Sequence, residues 1–195
     1  LYLRGHSYAL RSLELKQEHF ITGLRTNPDL TLSAYSSEDV PSLYWFSLSW
    51  AAAIAADKSD MEMVADLNLI EPIIRRCFEL DESFNRGALH EFMIAYQGGR
   101  SVFQGGGADK ARHHFDQAMA LSTNTSITPL VSLAETVSVT EQNREEFVSL
   151  LNLALSYNVN THMQTRLANL VAQRRARLLL TRIDSYFLEG LSNVN

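Results

Sequence analysis

Apolar residues recur with a helical period through the middle of the chain. Leu89, Phe92, Met93 and Tyr96 fall at i, i+3, i+4 and i+7, so they share one face of a helix that must be buried. After a glycine-rich turn, Ala111, Phe115 and Ala118 follow with the spacing A-x3-F-x2-A, preceded by Asp109 as the expected N-cap. Two amphipathic helices joined by a turn are predicted between Glu82 and Ser122, the small alanines allowing close approach.

The pattern repeats. A helix over 42–56 opens on Trp45, two residues, Leu48 and the small Ser49. Its partner over 64–80 carries Ile70, Ile74 and Cys77 at the A-x3-F-x2-A positions, with a bend expected at Pro72. A further pair places Leu130, Leu133 and Ala134 in 128–138, and Phe147, Leu151 and Ala154 in 143–157. This alternation is that of tetratricopeptide (TPR) hairpins. The second-helix signature starts at 70, 111 and 147, separations of 41 and 36 residues, against roughly 34 for the ideal repeat. The enlarged turn Gln97-Gly98-Gly99-Arg100 to Gln104-Gly105-Gly106-Gly107 accounts for the excess.

Outside these hairpins, residues 1–20 form a helix that begins at Leu1, as though a natural N-terminus and a packing partner had been removed. Residues 23–41 read as a polar connecting insertion with a short helix near Leu32. Thr161–Leu188 reads as one long helix with Leu167, Leu170, Val171, Leu178, Leu179, Ile183 and Phe187 inside and Arg166, Arg174, Arg175, Arg177 and Arg182 outside. That polar outer face suits the terminal cap of a helical array. The tail 191–195 is expected to fray. The fold class is therefore all-α: a TPR-like helical-hairpin solenoid with a long C-terminal capping helix, in a single domain over residues 1–195.

Composition narrows the function. Seventeen Lys and Arg against 22 Asp and Glu leave a formal charge of −5, which gives no basic field for nucleic acid or anionic lipid. No apolar run is long enough to span a bilayer. The single cysteine, Cys77, excludes an internal disulfide and a multi-cysteine zinc site. It sits at an apolar helix position and reads as a packed thiol.

Enzyme-like motifs fail on inspection. His90-Glu91 opens an HExxH pattern, but Ile94 stands where the second histidine is required. His113 and His114 are adjacent and point about 100° apart on a helix, so His114 is expected to face solvent. The stretch Gly105-Gly106-Gly107-Ala108-Asp109-Lys110 lacks the ending of a phosphate-binding loop. No enzyme, cofactor or metal is expected.

If the first helix of each hairpin lines a concave side, positions one, five and eight after the opening residue face a groove. The expected ligand- or partner-binding groove then contains Phe46, Trp50, His90, Ile94, Gln97, Val131 and Glu135. Covering of Trp50 by loops is the competing expectation. Arg100, Phe103, Arg174 and Arg175 are candidate partner contacts, with a solvated, salt-bridged cap as the plainer reading of the two C-terminal arginines.

The strings Tyr2-Leu3-Arg4-Gly5, Val40-Pro41-Ser42-Leu43-Tyr44-Trp45, Gly87-Ala88-Leu89-His90-Glu91-Phe92, Val131-Ser132-Leu133-Ala134-Glu135, Asn143-Arg144-Glu145-Glu146-Phe147 and Asn169-Leu170-Val171-Ala172-Gln173-Arg174-Arg175-Ala176 resemble the T-component family of TPR-protein-associated TRAP transporters. Together they cover Leu1 to Glu189. The resemblance implies a periplasmic, often lipid-anchored helical-repeat protein that associates with the substrate-binding (P) component of a TRAP-type uptake system. It also implies homo-oligomers, a trimer being the first expectation, and small organic acids or hydrophobic molecules as ligands. Membrane attachment is implied only through an N-terminal lipid anchor that this chain does not carry. Two functions follow as expectations: a non-enzymatic adaptor docking the substrate-binding component, or a stand-alone binding protein with Phe46, Trp50 and His90 around an apolar pocket.

Overall fold

Helix signals in the sequence set the element order of the computed structural model, which describes residues 1–57 and 59–188. Every regular element among these residues is helical. The chain forms two compact units, Leu1–Phe84 and Asn85–Asn195. The expected tail at 191–195 lies outside the described residues.

In the first unit, α1 (Tyr2–Glu14) packs along α4 (Val40–Ala56). Between them α2 (Phe20–Thr26) and α3 (Pro28–Ser33) are separated by Asn27 alone. The Asn27 side chain accepts from the Leu30 amide at 3.1 Å, and Pro28 occupies the first turn, where its missing N–H costs nothing. The expected polar insertion is thus largely helical, and its short helix does contain Leu32, which is buried. Arg75 of α6 (Ile70–Asp81) ties α3 down through Asp29 at 2.7 Å.

Helix α4 buries Val40, Leu43, Phe46, Ser47, Trp50, Ala53 and Ile54, more than one face. A helix apolar most of the way round must be covered on several sides, and α1 and α6 supply that cover. Short α5 (Met61–Ala65) and a 3-10 stretch over Asp66–Leu69 lead into α6. Pro72 falls in the first turn of α6. The helix therefore begins just before the proline in place of the expected bend. Ile70, Ile74 and Cys77 are all buried, as the spacing requires, and burial pushes the Cys77 thiol up to about 12.

The second unit opens with α7 (Ala88–Gly98) against α8 (Ala108–Leu121). Gly107, not Asp109, is the N-cap of α8. Next come α9 (Thr128–Leu133), continued by a π-helical turn over Ala134–Ser138, and α10 (Arg144–Ser156), whose cap Asn143 accepts from the Glu146 amide at 3.0 Å. Phe147, Leu151 and Ala154 are fully buried with Ala172, Ala176 and Leu179. Arg112 of α8 joins the pair laterally, reaching Glu141 at 2.6 Å and Glu146 at 2.5 Å. Ser138 donates to Glu146 at 2.6 Å. The Arg112 guanidinium, against the cost of burial, holds the Glu146 carboxyl below its ordinary range.

The C-terminal segment departs most from expectation. Helix α11 (Arg166–Thr181) is shorter than 161–188 and is followed by a 3-10 turn at Ile183–Ser185. Its buried face is Asn169, Ala172, Gln173, Ala176 and Leu179, while Leu167, Leu170, Val171 and Leu178 are exposed. Hydrogen bonding sets this register. Asn169 accepts from the Ile127 amide at 3.1 Å and donates to the Thr125 carbonyl at 2.9 Å. The Gln173 amide donates to the carbonyls of Ala154, Leu155 and Tyr157 at 3.1, 3.2 and 2.9 Å, closing the end of α10. Ala172 between these amides and Ala176 one turn beyond permit the close approach, and Leu167, Leu170 and Leu178 are turned outward.

Candidate functional site

The residues expected to line a groove are mostly interior. Phe46 is 0% and Trp50 4% exposed. His6 lies 4.5 Å from the Phe46 ring and 5.2 Å from Trp50, with Phe20 edge-on to Phe46 at 5.4 Å. These aromatics are the core of the first unit, so covering of Trp50 is the outcome, supplied by helix packing. In the second unit His90, Ile94, Gln97 and Val131 are also buried. Glu135 alone keeps partial exposure, where it takes a two-pronged ion pair from Arg175. The open groove is thereby corrected: the chosen register points into the helix packing.

A different cluster forms around the start of α7. His90 Nδ1 and His114 Nδ1 lie 2.8 Å apart, a contact that requires one ring to donate and the other to accept. His114 was expected in solvent. Instead it is half-buried on His90, and burial, reinforced by the charges of His90, His113 and Lys110, pushes its pKa down to about 4. The neighbouring Glu91 turns its carboxyl inward toward Ser126, whose hydroxyl donates at 3.3 Å, and toward Thr128. Burial raises this carboxyl to about 7 against the smaller opposing effect of both hydroxyls. Of these groups, Glu91 is the one placed to hold or release a proton near neutrality. No group of three or more His, Cys, Asp or Glu able to hold a metal ion occurs among the described residues.

Surfaces suited to binding lie elsewhere. In the first unit a cleft of about 410 Å³ runs between α1 and α4, lined by Leu1, Tyr2, Arg4, Tyr8, Trp45 and Leu48 among others. Trp45 is 57% exposed here. The helical pattern names Trp45 only as the opening residue of a TPR-like first helix and gives no cleft beside α1; the available signal is the apolar breadth of α4, which leaves one side uncovered by α1 and α6. In the second unit, Val102 and Phe103 stand out of the glycine turn, Phe103 at 102% exposure. Arg100 lies behind them with its guanidinium 4.7 Å over the Tyr96 ring. Arg174 is exposed on α11.

Among the described residues the scaffold is all-helical, with enclosed titratable groups and exposed aromatic and aliphatic side chains. The chain belongs to the TRAP transporter T-component family, whose model matches residues 1–187. It is also 25% identical over 193 residues to an uncharacterized protein of Treponema pallidum (strain Nichols). That match covers 97% of this chain and 60% of the relative, so the chain spans about three fifths of that protein's length. No helix among the described residues is long and apolar enough to cross a membrane.

Proposed function

We propose that this chain is a non-enzymatic adaptor of a TRAP-type solute uptake system, docking the periplasmic substrate-binding component and passing ligand across the contact. The observation that carries this reading is the match to the T-component family over residues 1–187. In this reading the pairs α4/α6, α7/α8 and α9/α10 are successive TPR-like hairpins. The protein works in the periplasm, held there by a lipid anchor on the full-length precursor, and assembles as a homo-oligomer with a trimer as first choice. The buried His90, Ile94, Gln97 and Val131 brace the helices whose outer surfaces, with Glu135, Arg174 and Arg175, meet the partner; Phe46 and Trp50 do the same for the first unit.

Crosslinking in intact cells at native expression, followed by capture of this chain, is expected to recover a TRAP-type substrate-binding protein. Recovery of the transporter's other parts without that component would overturn the docking step.

One observation favours a second reading, a stand-alone binding protein for hydrophobic molecules or amphipathic organic acids. The α1/α4 cleft is apolar, carries Trp45, and has Arg4 at its edge, 5.7 Å from the Tyr8 ring. Addition of a medium-chain fatty acid is then expected to shift the tryptophan emission. Trp45→Phe abolishes the shift with helix content unchanged, whereas an unchanged response sends the reading elsewhere.

A further inference from the structure

The glycine turn between α7 and α8 is built to hold one side chain away from the protein. Ser101 and Gln104 close a capping box, the Gln104 side chain accepting from the Ser101 amide at 3.0 Å. The Gly107 amide donates to the Gln97 carbonyl at 2.9 Å and Gly106 to Ser101 at 3.0 Å. Lys110 donates to the Gly105 carbonyl at 2.7 Å, and Arg100 to the Gln104 carbonyl. A Cβ on Gly106 would stand 2.5 Å from that of Arg100 and 2.6 Å from the Gln97 carbonyl, and Gly107 holds a φ of +125°. These bonds and glycines fix the path of residues whose apolar side chains, Val102 and Phe103, are 77% and 102% exposed. Ordering an exposed phenylalanine contributes nothing to folding. It lowers the entropy that a binding event would otherwise have to overcome.

We infer that Val102 and Phe103 form a preorganised finger that inserts into an apolar, acid-rimmed socket on the substrate-binding component of the transport system. The inference rests on the docking reading above and names the part of this chain that makes the contact. Charge decides between the occupants. Arg100 and Lys110 sit at the base of the finger, so the socket rim carries carboxylates or carbonyl oxygens. Two of this chain's own exposed apolar surfaces have the wrong sign: the α1/α4 cleft is edged by Arg4 and by Arg11, 5.9 Å from the Tyr8 ring, and the leucines of α11 lie among Arg166, Arg174 and Arg177. A second copy meeting the finger through either of them would set cation against cation. An anionic bilayer would meet a protein of net charge −5 through two apolar side chains, less than even a single acyl chain provides.

The test measures binding of purified full-length chain to the purified substrate-binding component by interferometry. Phe103→Ser is expected to raise Kd by about tenfold to a hundredfold, the range of a central aromatic anchor, with the melting temperature unchanged. Gly106→Ala, which keeps Phe103 and misdirects it, is expected to weaken binding as well. Wild-type binding that Phe103→Ser leaves intact overturns the finger alone. Absence of wild-type binding overturns the docking reading and the finger with it. Loss of self-association in sedimentation, or of flotation with phosphatidylglycerol vesicles, on Phe103→Ser would give the finger to a second copy or to a membrane and equally overturn the inference.

Discussion

Phe147→Ala is expected to destabilise the protein by about 3 to 5 kcal/mol, the range for removing a fully buried phenylalanine. Phe147 is 0% exposed at the centre of the second unit's core. Its ring meets Phe187 edge-on at 5.2 Å and Tyr186 at 6.0 Å, and it packs among Leu130, Leu151, Ala176 and Leu179. The fully buried Leu151, Ala154 and Ala176 lie in the same cluster, two of them already small and close-packed, so little can move in to fill the space left behind. Against a total stability of about 5 to 15 kcal/mol for an ordinary domain, the loss shows as a large drop in the urea midpoint. Phe103→Ser provides the contrast, since the same residue type fully in solvent contributes almost nothing to that midpoint. A Phe147→Ala midpoint within error of wild type would mean that α10 does not organise this core.

Glu91→Gln is expected to stabilise the protein at pH 8 and to have little effect at pH 5. The folded-state pKa of about 7 lies above the ordinary carboxyl value of 4.5, so the folded chain holds this proton more tightly than the unfolded chain. The associated stability is complete below about 4.5 and is lost as pH rises through about 7. Above that, the enclosed carboxylate costs at most roughly 3 kcal/mol. Glutamine keeps the shape, accepts from the hydroxyls of Ser126 and Thr128, and carries no charge. Urea unfolding at both pH values reads the difference directly, and equal stabilities at pH 8 would show that Glu91 reaches water. His114 opposes this trend: its pKa, lowered by burial to about 4, removes stability as pH falls from its ordinary 6.5 toward 4. Between about pH 4.5 and 6.5 the two trends run in opposite directions and largely cancel, so the Glu91→Gln comparison is needed to expose the carboxyl's share.

Much of the helical architecture was legible in the sequence, because it rests on periodic burial. Ile70, Ile74 and Cys77, Ala111 and Ala118, and Phe147, Leu151 and Ala154 all lie where their spacing put them. Failures came where a polar side chain, not an apolar one, sets the contact. Asn169 and Gln173 look like surface residues in a one-dimensional pattern, yet their amides satisfy buried backbone groups and rotate α11 until its leucines face out. Asn27-Pro28 is a helix start written plainly, but the polar residues around it read as loop. The candidate site fared worse for a related reason. Assigning a groove by helical register assumes each first helix has one free face, whereas α4 is covered by both α1 and α6 and α7 by both α8 and α9. His90 and His114 are 24 residues apart, and no local pattern announces a pair made across two helices.

The Gln173 amide also bears on how the molecule ages. Its nitrogen is shared by three carbonyl oxygens at the end of α10, where the helix dipole is negative. Hydrolysis of that one amide to an acid would exchange a donor for a charged acceptor facing three others. A chemical lesion of a single atom would thus act as a late destabilising mutation in a chain already synthesised and folded.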